Sequence, residues 1–417
     1  MDGFLSLVPL IVVLVLLFRR VHMIPAALVG AILAMIIGGI SLTTANATLM
    51  ETMPKILGMV VPVINSAVAF AVFNAGGYTS ALKLMNRGVG GRSELLAVSI
   101  VLLQSLATYM SGIGGGTAVV LAPLAFAACG AIPELIAGMS IAAAVAFTTS
   151  PASLESSVFS EISGVAIGDY VNQMRPYWLL FTVIAMVIAY LGAKKRGNLF
   201  TSDAPSDVTD PTEDTAQLVK TTIPAAFLLF SVLVGPKINE ALDMPLFGPL
   251  VYSLGTILLI WVCTSENLNK TFESLVDGSS YILTRLFGVG YFLSFIYIIE
   301  KIGAFDTISS MAEVAPHWLM IPAGVLAGFL IGVPAGAYVG TILALILPVV
   351  MNLGFSPLAM GFVTMGVGLG SQMSFVNITM QALSSGFQIP IEKVVRGNTP
   401  YIVGCVTLLL GISLVMA

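Results

Sequence analysis

The chain has 417 residues, 57% of them hydrophobic and 9% charged, with a formal net charge of −4 and a mean hydropathy of +1.01. Soluble domains carry about 25% charged residues, so this composition excludes a soluble globular protein and points to an integral, polytopic membrane protein. The three cysteines, Cys129, Cys263 and Cys405, stand singly inside apolar runs and read as small buried hydrophobes, not as a disulfide or metal framework.

All expected elements are helical. In chain order, apolar runs long enough or nearly long enough to span a bilayer cover 3–18, 24–41, 53–73, 135–166 (interrupted), 176–193, 221–235, 245–263, 280–299, 357–383 (interrupted) and 400–416. The first has no basic region before it and Arg19-Arg20 after it, the wrong order for a cleaved leader, so it reads as the first spanning helix. Two pairs of shorter runs, 94–109 with 117–129 and 318–331 with 341–352, read as hairpins. Residues 198–219 are rich in Asp, Thr and Pro and read as a solvated cytoplasmic linker.

The linker separates two halves, 1–197 and 220–417, that echo each other at an offset of about 220–226 residues. MIPAALVGAILAM at 23 matches MPLFGPLVYSLGT at 244, and VVLAPLAFAACGAIPE at 119 matches ALILPVVMNLGFSPLA at 344. Each half counts five spans plus a hairpin, and an odd number forces the second copy to enter from the opposite face, as an inverted repeat. Thirteen of the 17 Lys and Arg, Arg285 among them, then fall at inner loops, and Lys55, Arg175, Lys237 and Lys301 fall at outer ones. That bias puts both termini outside a multi-pass protein of the cytoplasmic (inner) membrane.

Four polar breaks interrupt the apolar sequence at matching places. Each half has a hairpin tip, SGIGGGT at 111–117 and GVPAGAYVGT at 332–341, followed by a broken helix, TTSPASLESS at 148–157 and GVGLGSQMSFVN at 366–377. Irregular backbone is tolerated at membrane depth where it lines an enclosed, wetted cavity, and the half-helix ends it creates attract ions. Expected contacts with a bound anion are Ser111, Gly114, Gly115, Gly116 and Thr117 in the first tip and Thr149, Ser150 and Ser153 in the first break. In the second half they are Gly336 and Thr341 in the tip and Ser371, Ser374 and Asn377 in the break. The bland alternative is that these glycines only let helices pack closely. Glu155 lies four residues after Pro151, inside the first break, where a carboxylate is expensive unless it has a job. Proton coupling is the role assigned to it here.

The hairpin-then-broken-helix pattern, repeated in inverted form, resembles the ion transporter superfamily of organic-anion carriers. Within it, GGYTSALKLMNRGVGG (76–91), SGIGGGTAVVLAPLAFAACGAI (111–132) and TTSPASLESSVFSEIS (148–163) look most like the DcuC-type C4-dicarboxylate transporters, with Glu155 at the place of that branch's acid. The Ser-Asn-Thr tips of the divalent-anion:sodium branch are missing. The resemblance implies an elevator, with transport segments 94–193 and 318–417 moving against scaffold segments 3–74 and 221–299, and a homodimer.

The expected function is therefore secondary active transport of a small carboxylate, a C4-dicarboxylate above all, coupled to H⁺ or Na⁺. Alternatives are a cation/proton antiporter of the same superfamily and a gluconate- or citrate-type symporter. No phosphate-binding G-x-x-x-x-G-K-[ST] is present, and AIGD at 166–169 is only a partial echo of an intramembrane aspartate motif, so neither ATP drive nor an enzyme is expected. No cofactor is expected beyond the coupling ion. The expected partners are the organic anion, the lipid bilayer and a second copy of the chain, with no nucleic acid.

Overall fold

The computed structural model describes residues 3–19, 21–58, 60–89, 92–196, 214–244, 246–307, 316–334, 336 and 338–415. Arg20, Ala335, Ala337 and most of the expected linker lie outside these. The described residues form nineteen helices. In the first half these are α1 (Gly3–Phe18), α2 (Met23–Gly38), α3 (Leu42–Leu57), α4 (Val60–Asn74), α5 (Gly77–Gly88), α6 (Ser93–Ser111), α7 (Gly114–Cys129), α8 (Pro133–Thr149), α9 (Leu154–Ser163) and α10 (Ile167–Arg196). The second half has α11 (Thr215–Leu233), α12 (Gly235–Leu242), α13 (Pro249–Cys263), α14 (Leu268–Lys301), α15 (His317–Gly332), α16 (Val339–Asn352), α17 (Pro357–Ser371), α18 (Ile378–Gly386) and α19 (Ile391–Val415). Six stretches, 93–111, 133–163, 167–195, 215–233, 268–301 and 391–415, are long and apolar enough to cross a membrane, and eight shorter apolar helices accompany them. Large apolar side chains such as Ile32, Ile36, Leu250, Leu254 and Trp261 face outward, as a lipid-facing surface requires. The chain is a multi-pass membrane protein.

Hydropathy alone misplaced several boundaries. The run expected at 53–73 is two helices, α3 and α4, and α3 begins eleven residues earlier in polar sequence because Ser41 caps it, accepting from the Thr44 N–H at 3.1 Å. Likewise α14 starts at Leu268, not near 280. Its polar first turns are held by α4, where Ser66 donates to the Gly278 carbonyl (2.8 Å) and Asn74 to Ser274 (2.9 Å). Helix α11 starts inside the expected linker, at Thr215, behind an Asp214 cap that accepts from the Ala216 N–H at 3.0 Å. The first tip is two residues long, Gly112 and Ile113, because the glycines after it already form the first turn of α7. In the second half, Gly366, Gly368 and Gly370 lie within α17, so the break is confined to residues 372–377.

Two groups of helices emerge from the packing. In one, the long α14 packs against α2, α3 and α4, with α13 on α4 and α11 on α5 and α13. In the other, α6, α8 and α10 pack together, and α15 packs on α17 and α19. The second group is knitted by an exchange between halves: α7 lies on α18, and α16 lies on α9. Helix starts in this group recur at one spacing. Ser93 and His317, Pro133 and Pro357, Leu154 and Ile378, and Ile167 and Ile391 each stand 224 residues apart.

The contact between α15 and α17 is backbone against backbone. A methyl group at Gly370 would overlap the Phe329 carbonyl, and one at Gly332 would lie 2.5 Å from the Val367 carbonyl. Here the bland role of small residues is the observed one. Gly370→Ala and Gly332→Ala are therefore expected to lower the thermal midpoint in detergent, at a cost of about 1–3 kcal/mol each. Gly404→Ala and Gly411→Ala, where nothing lies within 4 Å, should leave it unchanged. Equal midpoints for all four variants would contradict this packing.

Candidate functional site

Both breaks are shaped by side chains that bond backbone. In the first, Ser150 donates to the Tyr109 carbonyl at 2.6 Å and accepts from the Ala152 N–H at 2.9 Å. Gly112 sits at φ 69°, and a Cβ there would overlap the Ala152 carbonyl, so the tip rests directly on the break. In the second, Asn377 donates to the Gly336 carbonyl (3.0 Å) and to Ser371 (3.2 Å). Each break is thus pinned to the hairpin of its own half.

Four helices begin at these points. The side chain of Ser153 caps α9 by accepting from the Ser156 N–H (3.1 Å), and Asn377 caps α18 by accepting from the Met380 N–H (3.1 Å). Helices α7 and α16 start at Gly114 and Val339 with no side-chain cap bond. The first N–H groups of a helix have no partner within it, and its dipole adds roughly half a positive charge there.

All four starts border one recess. Its wall includes Gly112 to Gly115 from the first tip, Leu154 and Glu155 from α9, Gly336 and Val339 from the second tip, and Asn377, Ile378 and Thr379 from α18. The spacing of 224 relates Gly112 to Gly336, Leu154 to Ile378 and the capping residues Ser153 to Asn377. It also pairs Glu155 with Thr379, so the acid belongs to one half alone. Phe147 closes one side, and the other group of helices contributes Ile282 and Arg285 of α14.

Arg285 stands 17 residues from Leu268 and 16 from Lys301, at the middle of α14. It therefore does not belong to an inner loop, and the inner-side tally of basic residues loses one member. A cation at mid-helix in a membrane is costly unless it faces a partner or a wet cavity, and Arg285 faces the recess. The signal was legible in the sequence, as a single Arg inside the apolar run at 280–299. Glu155, only 8% exposed, borders the same space.

Of the residues expected to contact an anion, Gly114, Gly115, Gly336 and Asn377 border the recess. Most of the others hold its shape from behind. Thr117 is bonded within the hairpin: Gln104 donates to it at 2.7 Å, and Thr117 lies 2.8 Å from Thr108 and donates to the Gly114 carbonyl at 3.0 Å. Ser111 and Gly116 line a separate small cavity against Phe70, Phe73 and Tyr78. Thr149 donates to its own helix (2.7 Å), Ser153 caps α9, and Ser371 donates to the Gly368 carbonyl at 2.6 Å. Ser374 accepts from the Val376 N–H at 3.4 Å, and Thr341 is bonded to the Met23 sulfur at 2.8 Å. Thr379, Phe147 and Ile282 carry no polar-break signature and were not singled out by sequence.

The sequence matches no protein-family model and no curated protein. The fold has solved relatives. The Alcanivorax borkumensis YdaH transporter superposes with a TM-score of 0.62 at 14% identity, over 90% of this chain and 89% of that one. Neisseria gonorrhoeae MtrF, described with a class of antimetabolite efflux pumps, gives 0.67 at 13% identity over 95% of both chains. This chain shares the fold of these two membrane transporters. Neither neighbour is described as a dicarboxylate carrier, so the DcuC-type resemblance keeps only its sequence motifs for support.

The tip and the hydrogen-bonded hairpin behind it separate experimentally. A Cβ at Gly115 would meet Ile378 at 2.5 Å, so Gly115→Val should push α7 off α18 and lower transport at least tenfold in a folded protein. Thr117→Ala strips a buried bond from Gln104 and should cost about 1–3 kcal/mol of stability. Paired uptake and thermal-melting measurements check both, and a Gly115→Val variant transporting at the normal rate would count against the recess.

Proposed function

We propose that the chain is a secondary carrier of a small organic anion bearing a carboxylate, driven by a proton or sodium gradient. The observation that carries this is the convergence of four helix N-termini and Arg285 on one recess. One such terminus stabilises an anion by roughly 0.3–1 kcal/mol, up to about 2 when partly buried. Four of them with a guanidinium offset much of a carboxylate's desolvation, which is several kcal/mol. The same positive ends disfavour a bare cation, which weighs against the cation/proton antiporter.

The packing of the two groups supports an alternating-access mechanism. The recess lies between the hairpin-and-break group and α14, and relative movement of the two groups would present it to either side. Here the first group is the moving part of an elevator built from two inverted repeats, α14 and its neighbours are the scaffold, and two copies of the chain pair through that scaffold. A C4-dicarboxylate is the substrate suggested by the sequence motifs. A second reading, export of an anionic antimetabolite, is favoured by the end-to-end likeness to MtrF.

Proteoliposomes given labelled succinate, citrate, gluconate and lactate under separate proton and sodium gradients test the reading. At least one acid should accumulate under one gradient, and outward movement alone would favour export. No movement of any carboxylate, together with sodium/proton exchange, would hand the function to the antiporter. With Glu155 as the coupling group, Glu155→Gln is expected to abolish the pH dependence of uptake, and an unchanged pH profile would remove it from that role.

A further inference from the structure

Two opposite charges reach the recess from different groups of helices. Arg285 belongs to α14, which packs on α2, α3 and α4, and Glu155 belongs to α9, which packs on α10 and α16. Each is costly at membrane depth without a counter-charge. Arg285 and Glu155 both line this recess. A substrate carboxylate held by the helix starts enters the space that these two charges share. Two carboxylates at close range cannot both remain ionised cheaply, so one of them takes a proton or leaves.

We propose that the substrate carboxylate and Glu155 exchange as the partner of Arg285. In the empty carrier the Glu155 carboxylate answers Arg285. When substrate binds, its carboxylate takes Arg285, and Glu155 accepts one proton from the side on which the substrate entered. After release on the far side, Glu155 gives that proton up there and returns to Arg285. One O–H bond forms and breaks per cycle, and one proton crosses with each carboxylate. The inference rests on the carboxylate-carrier reading above. It gives Arg285 a substrate-binding role that ties capture to proton uptake.

Among the described residues, Glu155 and Arg285 are the charged ones that line the recess, and Glu161 of α9 and Asp169 and Arg175 of α10 do not border it. Of the helices packed on α9, α16 and α17 carry no titratable side chain, and α8 carries only Glu134, in its first turn. Tyr170 of α10 faces α9, where it stacks on Phe159 at 3.9 Å and donates to the Thr148 carbonyl at 2.7 Å. On α14, Arg285 is the charged residue that lines the recess.

The test is a double-mutant cycle on KM. It uses whichever labelled acid of succinate, citrate, gluconate and lactate wild-type proteoliposomes take up fastest, at external pH 6 and 8. In the wild type KM should rise with pH, as the Glu155 carboxylate competes for Arg285. Glu155→Gln should lower KM at pH 8 and flatten its pH dependence. Arg285→Gln should raise KM at least tenfold, and adding Glu155→Gln to it should then change KM little. A Glu155→Gln effect of the same factor with Arg or Gln at 285 would overturn the exchange while leaving the carrier reading intact. Absence of uptake by the wild type would instead sink the carrier reading itself. Where Arg285→Gln elutes aggregated, Arg285→Lys replaces it in the cycle, with the same sign of coupling expected at smaller size.

Discussion

A peptide N–H at membrane depth has no lipid partner, and this constraint orders the rest of the structure. A continuous spanning helix meets it by bonding every group internally, but a helix that starts inside the bundle leaves its first N–H groups bare. Four helices here start inside the bundle, α9 and α18 with one N–H capped by Ser153 and Asn377 and α7 and α16 with no side-chain cap bond, and their starts meet at one recess. Gathering them concentrates positive potential in a single place, and the proposal of an anionic substrate rests on that.

The polar residues around the breaks divide into two kinds of work. Hydroxyls and amides such as Ser150, Ser153, Thr117 and Gln104 are consumed by backbone and by one another, so they fix the shape of the tips without bordering the recess. Asn377 does both, capping α18 and bonding the tip of its own half while bordering the recess. Charge comes from elsewhere, from a single acid in one half and from a cation on α14. The repeated spacing of 224 residues thus produces a recess that is alike in backbone but unlike in charge, since Thr379 stands where Glu155 stands in the first half. The proposed proton-coupling role of Glu155 rests on that inequality.

Glycine serves two ends that its sequence context does not separate. At Gly112 the positive φ and the contact with Ala152 require it, and the site depends on that turn. At Gly332 and Gly370 it lets α15 and α17 approach to backbone contact. Both kinds occur in stretches that read alike as polar breaks, and only the neighbours of each Cα distinguish them.

The sequence by itself determined that the chain is helical and membrane-embedded, that hairpins and breaks occur near 111–117, 148–157, 332–341 and 366–377, and that Glu155 is an unusual acid. Those features follow from local composition, because hydropathy and small-residue content act over a few turns. Hydropathy missed α3 and the first turns of α14, since caps and bonds to α4 stabilise polar sequence that it scores as loop. Only the tertiary structure decided which break residues border the recess and which are spent in its framework. It alone brought Arg285 from α14 to Glu155 on α9, 130 residues away. Recognition of an anion depends on where dipoles and charges converge in space, and that convergence has no signature in the order of residues along the chain.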